Sequence, residues 1–350
     1  MNLINYVQLH GDKDFNSLAF NEIDSAILSQ ISYIDFDFFH SNIQNSFENV
    51  PNHTILNEAC RHTWRPQENA LLMKEISKSN RFSSLSWHNY TKVVDDKYEQ
   101  QFTAILFDLG NHRYYISYRG TESSFIGWKE NMNMSYLKCI PSQLTALKYF
   151  THCFTEYPGK YYLGGHSKGG TMACFAGINA PSQLQKNIIA IYNHDGPGMN
   201  YLSSNFNMSN FHQYPIYKMV PQSSVVGVML EKNNYKIIRS HARSFFQHDL
   251  FTWEIKDTSF VEEPNISWMS RKVNRVSFRW IMYVDLQSRK LFVDTIYQVL
   301  CPKEIVHMRD IWKVKTKTTQ LIINNIRQLD PKIKRKILSI ATEMLILAIK

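Results

Sequence analysis

The order of apolar and polar positions divides the chain into a helical start, a mixed middle and a helical end. Between Asn21 and Asp35, Ile23, Ala26, Ile27, Ile31 and Ile34 recur at spacings of three and four, which predicts one buried helix face. Ala70 to Ser77 predicts a second, short helix. The period then changes. Phe102 to Asp108 and Arg113 to Tyr118 are largely apolar runs joined through Gly110, Asn111 and His112, which predicts two antiparallel strands and a turn. Ser142 to Thr155 predicts a helix, Tyr161 to Leu163 a short strand ending in Gly164 and Gly165, and Gly169 to Ala176 a helix stopped by Gly177 and Asn179-Ala180-Pro181. Ile188 to Asn193 is an apolar strand ending at Asp195-Gly196-Pro197-Gly198, and Ile216 to Val220 and Tyr235 to Arg239 are further strand candidates. Helix, strand, helix, strand implies a mostly parallel sheet flanked by helices, an α/β fold. From Val276 to Lys350 the pattern is helical, with breaks expected at Pro302 and Pro331. The expected organisation is an α/β domain over residues 1–275 and a helical, basic extension over 276–350.

Composition adds bounds. A chain of 350 residues, 44% hydrophobic, can bury a large core. No run reaches the roughly 18 apolar residues of a membrane span. Met1 to Phe20 contains Asp12, Lys13 and Asp14 and lacks a signal peptide's apolar stretch, so a cytoplasmic protein is expected. The five cysteines show neither CxxC spacing nor paired Cys/His ligands, so no disulfide framework, metal or other cofactor is expected. Cys174 reads as a small apolar filler of a buried helix. The net charge is +9, but Cys301 to Lys350 alone holds eleven Lys/Arg against four Asp/Glu. The body is close to neutral and offers no broad face for nucleic acid. Ile337 to Ile349, 13 mostly apolar residues behind Lys332, Lys334, Arg335 and Lys336, suits either a helix docked on the core or one lying on an anionic membrane.

The sharpest chemical signal is Gly165-His166-Ser167-Lys168-Gly169, followed by Gly170. A serine between a strand and a helix, with small residues two before and two after it, is the pattern of a nucleophile elbow. Such a turn lifts the hydroxyl above the sheet edge and aims the next backbone N–H, here Lys168, at the substrate oxygen. His166 is expected to point away and pack.

A nucleophilic serine needs a base, and the base an orienting acid, in the chain order Ser, acid, His. Asp195 and Glu231 are the carboxylates between Ser167 and Ser240. Asp195 ends a strand, where this fold puts its acid, whereas Glu231, beside Lys232 and Asn233, reads as a hairpin-turn residue. His194 is a candidate support behind Asp195. For the base, His248 precedes an apolar stretch and has Phe245 and Phe246 beside it. His241 lies between Arg239 and Arg243, whose charges disfavour an imidazolium, and His307 is more distant. His248 is favoured. A second oxyanion donor is expected from Arg119-Gly120-Thr121-Glu122-Ser123, with Thr121 offering N–H and hydroxyl. Arg119 is either a surface charge or a buried brace of this loop. Phe245, Phe246, Phe251 and Trp253 are candidate acyl-pocket walls, and Ser123 to Pro141, with Met132 and Met134, is either a lid or an ordinary helix.

Tyr118-Arg119-Gly120-Thr121 after a strand, then Gly165-His166-Ser167-Lys168-Gly169-Gly170, resembles the class 3 (fungal-type) lipases of the α/β-hydrolase superfamily. In that family the first motif supplies the oxyanion hole and the second the nucleophile. A nearer resemblance is to an uncharacterised bacterial group of lipase-like α/β-hydrolases, the Mbeg-like domain family. It runs from about Phe15 to about Trp253 and includes Phe20-Asn21-Glu22-Ile23-Asp24, Gly127-Trp128-Lys129-Glu130, Asn193-His194-Asp195-Gly196-Pro197-Gly198 and Gln247-His248-Asp249. The resemblance implies the α/β-hydrolase fold and a hydrolase, not a substrate; with the residues above, the expectation is a serine carboxylic ester hydrolase, esterase- or lipase-like, acting on a small-molecule or lipid ester. There are departures. Class 3 lipases carry their acid before a Val-Pro pair, but Tyr217 to Ser224, which holds Val220-Pro221, has no carboxylate. Either Asp195 serves, or a Ser-His dyad works alone, or the fold is a catalytically silent interaction module. Lys168 also stands where lipases commonly have an apolar residue, which speaks against a purely apolar site mouth.

Overall fold

The computed structural model describes residues 1–39, 45–49, 53–122, 124–199, 214–232, 234–301 and 315–349. Seven strands form one sheet in chain order: β1 (Ser86–Asp95), β2 (Gln100–Asp108), β3 (Arg113–Tyr118), β4 (Lys160–His166), β5 (Ile188–His194), β6 (Ile216–Pro221) and β7 (Lys236–Ile238). β1, β2 and β3 are antiparallel neighbours, and β3 to β7 run parallel. Parallel neighbours need crossovers, and helices supply two of them: α6 (Pro141–Glu156) before β4 and α7 (Lys168–Asn179) before β5.

Both faces of the sheet are covered. On one side α1 (Leu3–His10), α2 (Glu22–Ile31), α3 (His53–Cys60) and α4 (Pro66–Lys78) pack with Tyr115, Trp253 and Phe260. On the other, α6 and α7 bury Phe150, Met172 and Phe175 against Ile116, Leu163 and Ile191. A mostly parallel sheet so covered, with a sharp β4-to-α7 turn, is an α/β-hydrolase fold. α5 (Phe125–Asn133), the short α8 (Ser182–Gln185) and a hairpin of β8 (Ile255–Lys256) and β9 (Ser259–Phe260) complete it. α9 (Trp268–Tyr283), α10 (Leu286–Leu300), α11 (Lys315–Gln328) and α12 (Pro331–Ile349) follow; Trp280, Ile281 and Val284 meet Ile340 in a separate small core. Among the described residues no helix is long and apolar enough to cross a membrane.

The structure departs from the sequence pattern in places. β4 continues through Gly164 and Gly165, which pair with Tyr192 and Asn193, because at Gly164 a Cβ would stand 2.2 Å from the Tyr115 hydroxyl. β1 is hidden from period-two reading by a bulge between His88 and Thr91, where Asn89 has φ 51°. The break expected at Pro331 is present: α11 ends at Gln328 and Pro331 opens α12, a position that needs no N–H; Pro302 lies outside the described residues. The division between 275 and 276 falls inside α9.

Candidate active site

Ser167 is the single residue between β4 and α7, and it holds φ 57° and ψ −132°. A side chain at positive φ is strained, and the surroundings hold it there. Its N–H bonds to the His194 carbonyl at 2.9 Å, and its carbonyl accepts the Gly170 N–H at 3.0 Å. The flanking glycines let the chain pass: a Cβ on Gly169 would lie 1.9 Å from the Tyr118 carbonyl oxygen, and one on Gly165 would lie 2.5 Å from the backbone of Gly169. Ser167 lines a cavity of about 1920 Å³ at this end of the sheet.

Asp195 follows β5, fully buried, at φ 53°. Its N–H bonds to the Met219 carbonyl at 2.8 Å. Oδ2 accepts His248 Nδ1 at 2.6 Å; Oδ1 accepts the Ser224 hydroxyl at 2.5 Å and the Gly227 N–H at 3.1 Å. The Val220-Pro221 stretch thus lacks an acid but sends a hydroxyl to one. His248 sits at the end of a 3-10 turn, Ser244–His248, and lines the same cavity as Ser167. With Nδ1–H given to a carboxylate, a neutral imidazole keeps its lone pair on Nε2, the state a general base requires. Among the described residues no hydrogen bond joins Ser167 Oγ to His248 Nε2. His241 is exposed, and His307 lies outside the described residues.

The Gly120–Thr121 loop passes directly beside the serine, since a Cβ on Gly120 would fall 3.1 Å from Ser167 Cβ. The Thr121 hydroxyl is engaged by the Asn131 amide at 2.8 Å. Arg119 is the buried brace: Nε donates to the Ser32 carbonyl at 2.5 Å, Nη2 to the Ile34 carbonyl at 2.8 Å, and Nη1 pairs with Glu122.

Four expectations are corrected. Lys168 does not charge the site mouth. Its ammonium is buried and bonds to Glu130 Oε2 at 2.7 Å and to the Gln101 carbonyl at 2.5 Å, tying the first turn of α7 to α5 and β2. Glu231 is no turn residue, but a buried carboxylate 2.5 Å from Lys218 Nζ. His166 does not simply point away: its ring lies 4.4 Å from that of His248, and it lines the cavity. Of the four aromatics, Phe245 and Phe246 line the cavity, while Phe251 and Trp253 belong to the core under the sheet.

Burial explains the electrostatics. His166 is held well below the usual imidazole range by desolvation and then by His248 beside it. His194 is pushed down to about 3 by desolvation; its side chain meets Ser25 at 2.9 Å, while its backbone carbonyl accepts the Ser167 N–H. Of the segment expected as lid or helix, α5 is a helix whose Phe125, Trp128 and Met132 line the cavity, as do Met134 after it and Met229, Met269 and Trp280. Glu130, Ser224 and Tyr33 are missed by sequence reasoning, because nothing local marks their partners.

The Mbeg1-like family model matches residues 76–298. The match extends through α9 and into α10, past the span suggested by the motifs, and starts after α1 and α2. No curated protein matches. Similar solved structures include the native Rhizomucor miehei lipase propeptide complex, 15% identical, TM-score 0.39, covering 61% of this chain and 66% of that one. Lipase II from Rhizopus niveus is 14% identical, TM-score 0.36, covering 67% and 87%. A lipase from Rhizopus microsporus var. chinensis is 16% identical, TM-score 0.33, covering 58% and 72%.

Proposed function

We infer that this chain, which belongs to the Mbeg1-like family, is a serine ester hydrolase working through an acyl-enzyme on Ser167. The observation that carries this reading is the 2.6 Å bond between Asp195 and His248 on the wall of the cavity that Ser167 also lines. In the proposed reaction His248 Nε2 takes the serine proton as Oγ attacks the acyl carbon. The resulting imidazolium is stabilised by Asp195, and the backbone N–H groups of Thr121 and Lys168 receive the oxyanion. His248 then gives its proton to the leaving alcohol, water enters, and the same histidine activates it to release the acid. Every proton transfer is served by side chains of this chain.

The apolar walls, with Trp128, Met132 and Trp280 among them, favour a bulky apolar acyl group. We read the substrate as a lipid or other hydrophobic ester. The basic helices α11 and α12 support peripheral contact with an anionic membrane, which co-sedimentation with liposomes tests by removing residues 331–350. The five free cysteines fit a cytoplasmic, reducing setting.

A fluorophosphonate probe tests the chemistry. Stoichiometric labelling of the full chain, lost in Ser167→Ala, is expected. Absence of labelling in folded protein overturns the enzyme reading in favour of a silent interaction module. A series of nitrophenyl esters of increasing chain length then reads out the acyl preference.

A further inference from the structure

His166, the residue before the proposed nucleophile, contacts two segments distant from it in sequence. Its Nε2 lies 2.7 Å from the backbone carbonyl oxygen of His248, and its Nδ1 lies 3.0 Å from the Tyr33 hydroxyl. The end group sets the direction of this chain. A carbonyl can only accept, so Nε2 carries the proton. A neutral imidazole has one N–H, so Nδ1 accepts and Tyr33 donates. The Tyr33 oxygen keeps its lone pairs and turns them toward the backbone of Gly120, against which it packs. Contact at Gly120 is close enough that a Cβ there would fall 2.0 Å from the Tyr33 oxygen. Tyr33 is itself gripped on both sides, because Arg119 bonds the carbonyls of Ser32 and Ile34.

The geometry points to Tyr33 and His166 as positioning residues, a clasp that holds the His248 turn and the Gly120–Thr121 loop in register with Ser167. This rests on the hydrolase reading above. The need for such a clasp is mechanical. Asp195 fixes His248 by one side-chain hydrogen bond, and a ring held at one atom can pivot about it. A second bond at the backbone carbonyl of the same residue fixes the point from which the ring hangs. The ring of His166, 4.4 Å away and tilted by 38°, limits the remaining swing. The other end of the chain sets the loop that carries Thr121, so the base and the oxyanion donor are referenced to one rigid element, the end of β4. Misplacement by about 1 Å in such a site costs on the order of 100-fold in rate.

The test compares Tyr33→Phe, His166→Phe and His166→Gln with the wild type. The readouts are the rate of fluorophosphonate labelling, kcat and KM on one nitrophenyl ester, and Tm. Tyr33→Phe keeps the ring and removes the hydroxyl. It is expected to lower kcat and labelling rate by about 10- to 100-fold, with KM changed by no more than about twofold. His166→Phe is expected to do at least as much. His166→Gln offers an acceptor and a donor in place of the two ring nitrogens and is expected to recover most of the loss. A labelled wild type with Tyr33→Phe labelled equally fast overturns the clasp alone. So does a rate loss that follows Tm, with His166→Gln no better than His166→Phe. A folded wild type that is not labelled overturns the hydrolase reading and the clasp with it.

Discussion

His248 Nδ1 and Asp195 Oδ2 stand 2.6 Å apart, although 53 positions separate the residues in sequence. The other oxygen of that carboxylate meets two donors, the Ser224 hydroxyl and the Gly227 N–H. The hydroxyl can rotate to accept, but the backbone N–H cannot. In Asp195→Asn the new NH₂ is therefore driven to the His248 side, where it must meet a lone pair. The imidazole then carries its proton on Nε2 and can no longer accept one from Ser167. The expected loss in kcat is about 10³- to 10⁴-fold with Tm little changed, measured on a nitrophenyl ester at neutral pH. Activity within tenfold of wild type would remove Asp195 from the mechanism.

The Lys168–Glu130 pair makes an asymmetric prediction. Glu130 accepts four hydrogen bonds: from Lys168, from the Gln101 N–H, and from the N–H and hydroxyl of Ser142. Lys168 has two partners, Glu130 and the Gln101 carbonyl. Glu130→Leu leaves a buried ammonium and two buried N–H groups stranded, which is expected to cost about 3–5 kcal/mol. Lys168→Met leaves the carboxylate with three donors, at an expected cost of about 1–3 kcal/mol. Urea unfolding of the two variants decides it. Equal losses would mean that Ser142 and Gln101 contribute nothing to holding the carboxylate.

What is legible in the chain and what is not follows from range. The strand, Ser167 and helix are local, and the glycines at 165 and 169 mark the tight passage within five residues. Asp195 stands out because carboxylates are scarce after Ser167 and because it ends an apolar strand. The direction of the Lys168 side chain is not legible, since its partner lies 38 positions away on a helix whose own pattern says nothing of it. Tyr33 meets His166 across 133 positions. Glu231 looks like a turn residue because its neighbours are polar, yet Lys218, on a strand between two others, has no acceptor in its own segment and takes it inward. The fold is thus readable from periodicity, while the polar contacts that fix the site are long-range pairs between segments of unrelated pattern.

Acid sensitivity should trace in part to His194. Its folded pKa is about 3 against an ordinary 6.5, because burial disfavours the cation. Between those values the unfolded chain holds a proton that the folded one does not, so stability falls as pH drops through this window. From pH 7 to pH 5 the loss from this one group is about 2 kcal/mol. His194→Gln retains a partner for Ser25 without the titration. Its stability deficit against wild type, from urea unfolding, is expected to shrink by that amount between pH 7 and pH 5. A deficit independent of pH would mean that His194 is not held neutral by the fold.

The aromatic run from Phe245 to Trp253 divides by function. Phe246 is 59% exposed while lining the cavity, so it stands at the rim. Trp253 is fully buried beside Phe260, its indole N–H bonded to the Gln247 carbonyl at 2.8 Å. Phe246→Ala exposes little that was hidden and is expected to change stability by less than about 0.5 kcal/mol. Its effect should fall on substrate: KM rises for long-chain esters, where the acyl group reaches the rim, and holds for short ones. Trp253→Ala opens a core cavity and removes a hydrogen bond, at an expected cost of about 3–5 kcal/mol. Because it loosens the segment that carries His248, it should lower kcat for every chain length alike. Chain-length series on both variants, with urea unfolding alongside, separate the two patterns. A Phe246→Ala variant whose long-chain and short-chain KM values move together would mean that the acyl group leaves the cavity by another side.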